Sequence, residues 1–180
     1  KLNAYTAYVQ YTAFNNDGNI HITGGTLDNS TGSTFTPTSI SSITGTGTFS
    51  NSGTFSLPIN FSFSSGVTFF NSGNISGIGN LVTNGPFIWN GGTIAGSGTL
   101  TPNNNATWSS GTLQRTFAIN NGQTLTVGNT GSYCYISTDG SLQNQGTVNW
   151  NNAFIYWQGT NPSINNSGIF NIDNAGYGIY

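Results

Sequence analysis

Charge is almost absent from this sequence. Of 180 residues, 2 are Lys or Arg and 4 are Asp, none is Glu, and charged residues make up 3% of the chain, against about 25% in ordinary soluble domains. Nucleic-acid binding is excluded, because neutralising phosphates takes several basic side chains and only Lys1 and Arg115 are present. Attraction to anionic membrane surfaces fails for the same reason. Methionine is missing and Cys134 stands alone, so neither a disulfide framework nor a cysteine metal cluster can form. No apolar run approaches the ~20 residues that cross a bilayer, and no basic segment followed by an apolar one opens the chain. The chain starts at Lys1 and reads as a processed protein or a piece of a longer one.

What fills the space is small and polar. There are 27 Asn, 26 Thr, 26 Gly and 21 Ser, all poor helix formers, and Asn, Ser and Thr also offer the backbone competing hydrogen bonds. Almost no helix is expected. The 12 Phe, 8 Tyr and 4 Trp separate the chain from disordered polar tracts, which lack aromatic and β-branched residues. The length fits one domain.

A repeat organises these residues. Asn51-Ser52-Gly53-Thr54-Phe55, Asn71-Ser72-Gly73-Asn74-Ile75, Asn90-Gly91-Gly92-Thr93-Ile94 and Ser109-Ser110-Gly111-Thr112-Leu113 stack on a glycine, and the frame runs from Gly32 through Gly131 and Ala153 to Ala175 in steps of 19 to 22 residues. That period, with no helical pattern inside it, is the size of one β-solenoid coil. The expected fold is all-β: a single parallel β-helix of about 8–9 coils over residues 21–180. Residues 1–20 lack the Asn-Gly frame and carry Tyr5, Tyr8, Tyr11 and Phe14 at a spacing of three, which predicts a leading cap, extended or briefly helical.

Columns follow from the frame. Phe55, Ile75, Ile94, Leu113, Tyr133 and Ile155 lie two after the anchor, Phe61, Leu81, Leu100 and Ile119 eight after it, and Phe49, Phe69, Ile88 and Val127 four before it. All are expected inward, since residues two apart on a strand share a face. Asn51, Asn71, Asn90, Asn129 and Asn151 fit a ladder of side-chain amides, each bonded to the next coil. The lines Trp89–Leu100 and Leu142–Trp150 resemble the Asn/Gly/Thr-rich repeats of large secreted bacterial surface proteins, the β-helical adhesins of the filamentous-haemagglutinin and autotransporter-passenger kind. The resemblance covers roughly residues 20–175. It implies an extracellular or cell-surface module; the residues themselves add the expectations of no enzymatic activity, of a glycan or protein receptor and, with no clear polar cap through Tyr177 and Tyr180, of end-to-end stacking with a neighbouring solenoid. It brings no site residues with it.

Catalytic chemistry finds little material. Glycosidic or acid–base catalysis needs paired carboxylates, and Asp17, Asp28, Asp139 and Asp173 are at least 11 residues apart. Asp17 and Asp139 each precede Gly, as turn residues do. Arg115 is the only interior base, and His21 lies between two isoleucines on a short strand. No catalytic residue, metal or cofactor is expected. A recognition surface has two candidates. Phe70, Trp89, Trp108 and Trp150, three before the anchor, form an outward aromatic shelf if no bulge interrupts the alternation. Thr54, Asn74, Thr93, Thr112 and Ser132, with Ser56 and Ser76 beside them, form a hydroxyl-rich flat face of the kind that orders water in ice-binding solenoids.

Overall fold

The computed structural model describes residues 5–129, 131–173 and 176–180, and every regular element in them is a β-strand. All strand pairings are parallel, each joining a strand to its counterpart one coil further on, and the stack makes about eight turns. Each coil contributes to three faces. The first holds Thr6–Val9, Thr26–Asn29, Thr48–Asn51, Thr68–Asn71, Thr124–Val127, Thr147–Asn151 and Ile169–Asp173. The second holds Ala13–Asn16, Thr34–Pro37, Thr54–Ser56, Asn74–Ser76, Ser132–Ile136 and Ala153–Trp157. The third holds Ile20–Ile22, Ser42–Gly45, Phe61–Phe63, Leu81–Thr83, Ser141–Asn144 and Ser163–Asn166. In mid-stack, Phe87–Pro102 and Ala106–Ile119 each run through all three faces without a break. Residues 5–20 enter the same scheme: Thr6 pairs with Thr26 and Phe14 with Phe35. The segment is a coil of the stack, with no helix.

Alternation of small polar and apolar residues makes the strands, and their inward side chains make one continuous core. Phe35, Phe49, Phe55, Phe63 and Phe69 are fully buried, with ring centroids 4.5–6.1 Å apart in mostly tilted and edge-on pairs. Of the expected inward columns, Phe55, Ile75, Ile94, Leu113, Ile155, Phe61, Leu81, Leu100, Ile119, Phe49, Phe69 and Val127 are buried. Two expectations fail. Tyr133 is 47% exposed, and Ile88 turns outward beside Phe70. Register partners one coil apart range from 17 residues, Leu100 with Phe117, to 25, Phe117 with Leu142. Loops of unequal length at the corners shift parity between coils.

The glycine column is real over its central part. A Cβ on Gly73 would collide with the Gly53 carbonyl, one on Gly92 with that of Gly73, and one on Gly111 would sit 2.7 Å from the Gly92 oxygen. Gly92 also has φ +72°, a backbone state that a Cβ disfavours. Gly131 departs from the column, with open space where a Cβ would lie, and Ala175 lies outside the described residues.

The amide ladder is shorter than expected and begins one coil earlier. Asn29 Nδ2 donates to Asn51 Oδ1 and Asn51 Nδ2 to Asn71 Oδ1, both at 2.7 Å, in a fully buried row. Each also reaches a backbone carbonyl across the corner, Thr54 O and Asn74 O. Asn144 repeats the arrangement on the third face, with Asn166 Oδ1 at 2.6 Å and Ile169 O at 2.8 Å. Asn90 and Asn129 are exposed and Asn151 half-buried, so none of them extends the buried row. Replacing Asn51 by Ala orphans the Asn71 oxygen and weakens the Asn29 amide. The variant is expected to lose about 3 kcal/mol in urea unfolding, whereas Asn149→Ala, in the exposed Asn149–Asn171 pair, loses within about 0.5 kcal/mol.

Candidate functional site

The tryptophans do not form a surface shelf. Trp89 and Trp108 are 0% exposed and Trp150 4%. On the first face, Asn71 is the register partner of Trp89, Trp89 of Trp108, and Val127 of both Trp108 and Trp150. The three indoles therefore occupy the inward column that begins as the asparagine ladder. Asn71 and Ile75 are four residues apart, whereas their register partners Trp89 and Ile94 are five apart, so one residue is added between the two faces. One inserted residue reverses which side of the sheet a position faces, so counting back from the glycine gives the wrong side.

The indoles inherit the ladder's work as well as its place. Asn71 Nδ2 donates to Gly73 O at 3.1 Å, and Trp89 Nε1 donates to Gly91 O at 2.6 Å. Trp150 Nε1 donates to Ala153 O at 2.9 Å. The Trp89 and Trp108 rings stack at 4.7 Å with planes 5° apart, and Trp108 Nε1 is left buried without a partner. Phe70 alone of the four candidates faces outward, half-buried, with Ser50 and Ile88 as its column neighbours.

A different aromatic surface lies on the second face. The strand Ser132–Ile136 turns Tyr133, exposed, and Tyr135, half-buried, outward while burying Cys134 and Ile136. One coil on, Phe154 pairs with Tyr133 and Tyr156 with Tyr135; after a further turn come Tyr177 and Tyr180. Two columns result. Tyr133, Phe154 and Tyr177 are spaced by 5.3 and 4.8 Å, and Tyr135, Tyr156 and Tyr180 by 5.5 and 5.4 Å. Tyr156 also lies 6.0 Å from both Tyr133 and Phe154, which joins the columns into one ribbon. Burial and the neighbouring phenols Tyr133, Tyr180 and Tyr135 raise the Tyr156 hydroxyl above its ordinary pKa. The sequence signal for this ribbon is the pair Tyr133-Cys134-Tyr135 and Phe154-Ile155-Tyr156, legible when the two strands are aligned on each other instead of on Gly131.

The hydroxyl face holds over part of its length. Thr54 pairs with Asn74 and Thr93 with Thr112, while Ile75 beside Ile94 brings the two pairs into one column. Thr34 extends it by one coil. Ser56 pairs with Ser76 in the second column, which continues as Ala95 and Gln114. Ser132 falls outside, because its register partner is Ala153; the position next to Thr112 is taken by Tyr135. A second hydroxyl row, Thr6, Thr26, Thr48 and Thr68, runs in register on the first face.

The ionisable groups are dispersed. Arg115 is 1% exposed and faces the core where the second corner loses two residues between Gln114 and Thr116, relative to Ala95 and Thr99. Its Nε donates to Gly98 O and a terminal nitrogen to Gly79 O, each at 2.7 Å, with Ala95 O at 3.4 Å. Burial lowers its pKa to about 10, so it remains a cation at neutral pH, and its donors are spent on the backbone. Asp28 accepts from Ser30 Oγ at 2.6 Å, and Asp139, at φ +59°, accepts from Asn161 Nδ2 at 3.2 Å. His21 Nδ1 lies 3.0 Å from Thr44 Oγ1 on the surface. Burial pushes the Cys134 thiol up to about 12, and the thiol donates to Trp108 O at 3.6 Å. Among the described residues no three His, Cys or Asp side chains come together as a metal site.

The inward placement of the indoles has a measurable consequence. Trp108→Ala is expected to lower stability by about 3–5 kcal/mol, the usual cost of emptying a buried aromatic site; a surface ring would cost far less. Urea unfolding followed by circular dichroism reads the difference.

Comparison with protein-family models, curated proteins and solved structures returns no match to this chain.

Proposed function

We propose that this chain is a non-enzymatic structural and adhesive β-helix module that works outside the cell and holds a neutral glycan or protein surface on the aromatic ribbon of its second face. The observation that carries the reading is the change in outward residues along that face. Thr and Asn fill one outward column from Thr34 to Thr112, beside Ser56, Ser76, Ala95 and Gln114 in the next, and six rings in mutual contact follow from Tyr133 to Tyr180. Exposed rings that are not needed for a core are a usual mark of a contact surface. The ribbon is made of rings and phenol hydroxyls, so it favours an uncharged partner that offers C–H faces and hydroxyl groups over a phosphate or polyanion.

A binding panel of neutral polysaccharides and cell-surface glycoproteins tests the reading. The wild-type chain should bind at least one member, and a Tyr133→Ser/Phe154→Ser variant of unchanged circular dichroism should lose that binding. Equal binding by both proteins would remove the ribbon from the function.

The register of the hydroxyl rows supports a second reading, an ice-binding face. Thr34, Thr54, Thr93 and Thr112 share a column broken only by Asn74, and the Thr26–Thr48–Thr68 row repeats the arrangement on the first face. Such rows hold hydroxyls at the ~4.8 Å interstrand spacing. This reading expects thermal hysteresis that disappears in Thr93→Tyr and Thr48→Tyr variants; a wild-type chain without hysteresis rejects it.

A further inference from the structure

Of the five tyrosines in the six-ring ribbon, Tyr133, Tyr135, Tyr156 and Tyr180 form tyrosine–tyrosine contacts, and that contact has a chemistry separate from binding. Tyr156 lies between Tyr135 and Tyr180, at 5.5 and 5.4 Å with planes 25° apart in each pair, and 6.0 Å from Tyr133. Tyr133 and Tyr180 are 47% and 63% exposed, so a diffusing oxidant or an oxidising enzyme can reach the cluster. Tyr135 and Tyr156 are register partners on neighbouring coils, and backbone pairing holds their rings together.

Oxidisable sulfur and indole groups are largely withdrawn, while the exposed Tyr5, Tyr8 and Tyr11 of the first coil lie outside the cluster. The chain has no Met, and Cys134 is buried with its thiol held protonated. Trp89, Trp108 and Trp150 are buried, and the fourth tryptophan, Trp157, is half-buried. A chain with one cysteine also has no disulfide with which to join its coils.

We propose that Tyr156 and its neighbours are a site of oxidative tyrosine coupling, which ties adjacent coils of the solenoid together by a dityrosine bond. The co-reactant is hydrogen peroxide acting through a haem peroxidase or an equivalent one-electron oxidant. Two one-electron steps each remove an electron from a phenol and release its Oη proton, leaving phenoxyl radicals on Tyr156 and on Tyr135 or Tyr180. The radicals join at ring carbons ortho to the oxygens, forming one carbon–carbon bond. Each joined carbon then gives up its hydrogen as a proton while the phenol oxygen takes one back, restoring both aromatic rings. In sum, two phenols and one peroxide give one dityrosine and two waters. The inference goes beyond the adhesive reading and does not depend on it.

The test treats the full chain, at low concentration, with a haem peroxidase and hydrogen peroxide. Dityrosine fluorescence is read in the monomer fraction, and linked peptides are mapped by mass spectrometry. The expected product is monomeric, two hydrogens lighter, and links Tyr156 to Tyr135, Tyr180 or Tyr133. Tyr156→Phe should lose the monomer signal with circular dichroism unchanged, while Tyr8→Phe, a substitution at an exposed position in another coil, keeps it. The proposal is overturned if the monomer carries no dityrosine, if linkage occurs only between molecules through Tyr5, Tyr8 or Tyr11, or if Tyr156→Phe leaves the signal intact. The wild-type peptide map decides the matter even if that variant fails to fold.

Discussion

Parallel pairing in register places every residue about 4.8 Å from its counterparts in the coils before and after it. A side chain in such a stack must tolerate a neighbour in the same position. Carboxylates and ammonium groups do so poorly, since like charges opposed across strands destabilise the pair. Amides, hydroxyls and aromatic rings do so well: an amide both donates and accepts, and a ring offers two faces. The Asn29–Asn51–Asn71 row, the Thr26–Thr48–Thr68 row and the Tyr135–Tyr156–Tyr180 column are three solutions to one constraint. The low charge of the chain is a product of that constraint.

The same constraint explains why one position in the coil can change chemistry without disturbing the fold. On the first face the inward column passes from amide to indole between Asn71 and Trp89, and the donated hydrogen bond to the corner carbonyl persists. The change in side-chain volume coincides with the added residue before Ile94. Larger rings and a wider corner arrive together, and the backbone pairing on either side continues.

The fold was legible in the sequence because a period near 20 survives variation of a residue or two at each corner. The strands, the parallel stacking and most of the buried columns follow from it. The contact surface was not legible, because sidedness depends on parity, and a single added residue reverses it. Counting back from Gly92 and Gly111 places Trp89 and Trp108 outside, yet one more residue between the faces puts them in the core. Counting forward from Gly131 puts Tyr133 inside, yet that glycine sits off the column and the ring is exposed. Burial of Arg115 was hidden for a related reason: its place in the core depends on a corner shortened by two residues, and nothing about an isolated Arg in the sequence reveals that shortening.

In most solenoids each coil touches only the next, so local loosening can spread from an end one coil at a time. Arg115 departs from that rule. Its guanidinium holds carbonyls of Gly98 in the preceding coil and of Gly79 in the coil before that. Three successive turns thus share one cation, and a fraying front that frees any of them must break a bond to the Arg115 guanidinium. A linear chain of nearest-neighbour units gains at that point a link that reaches two coils back.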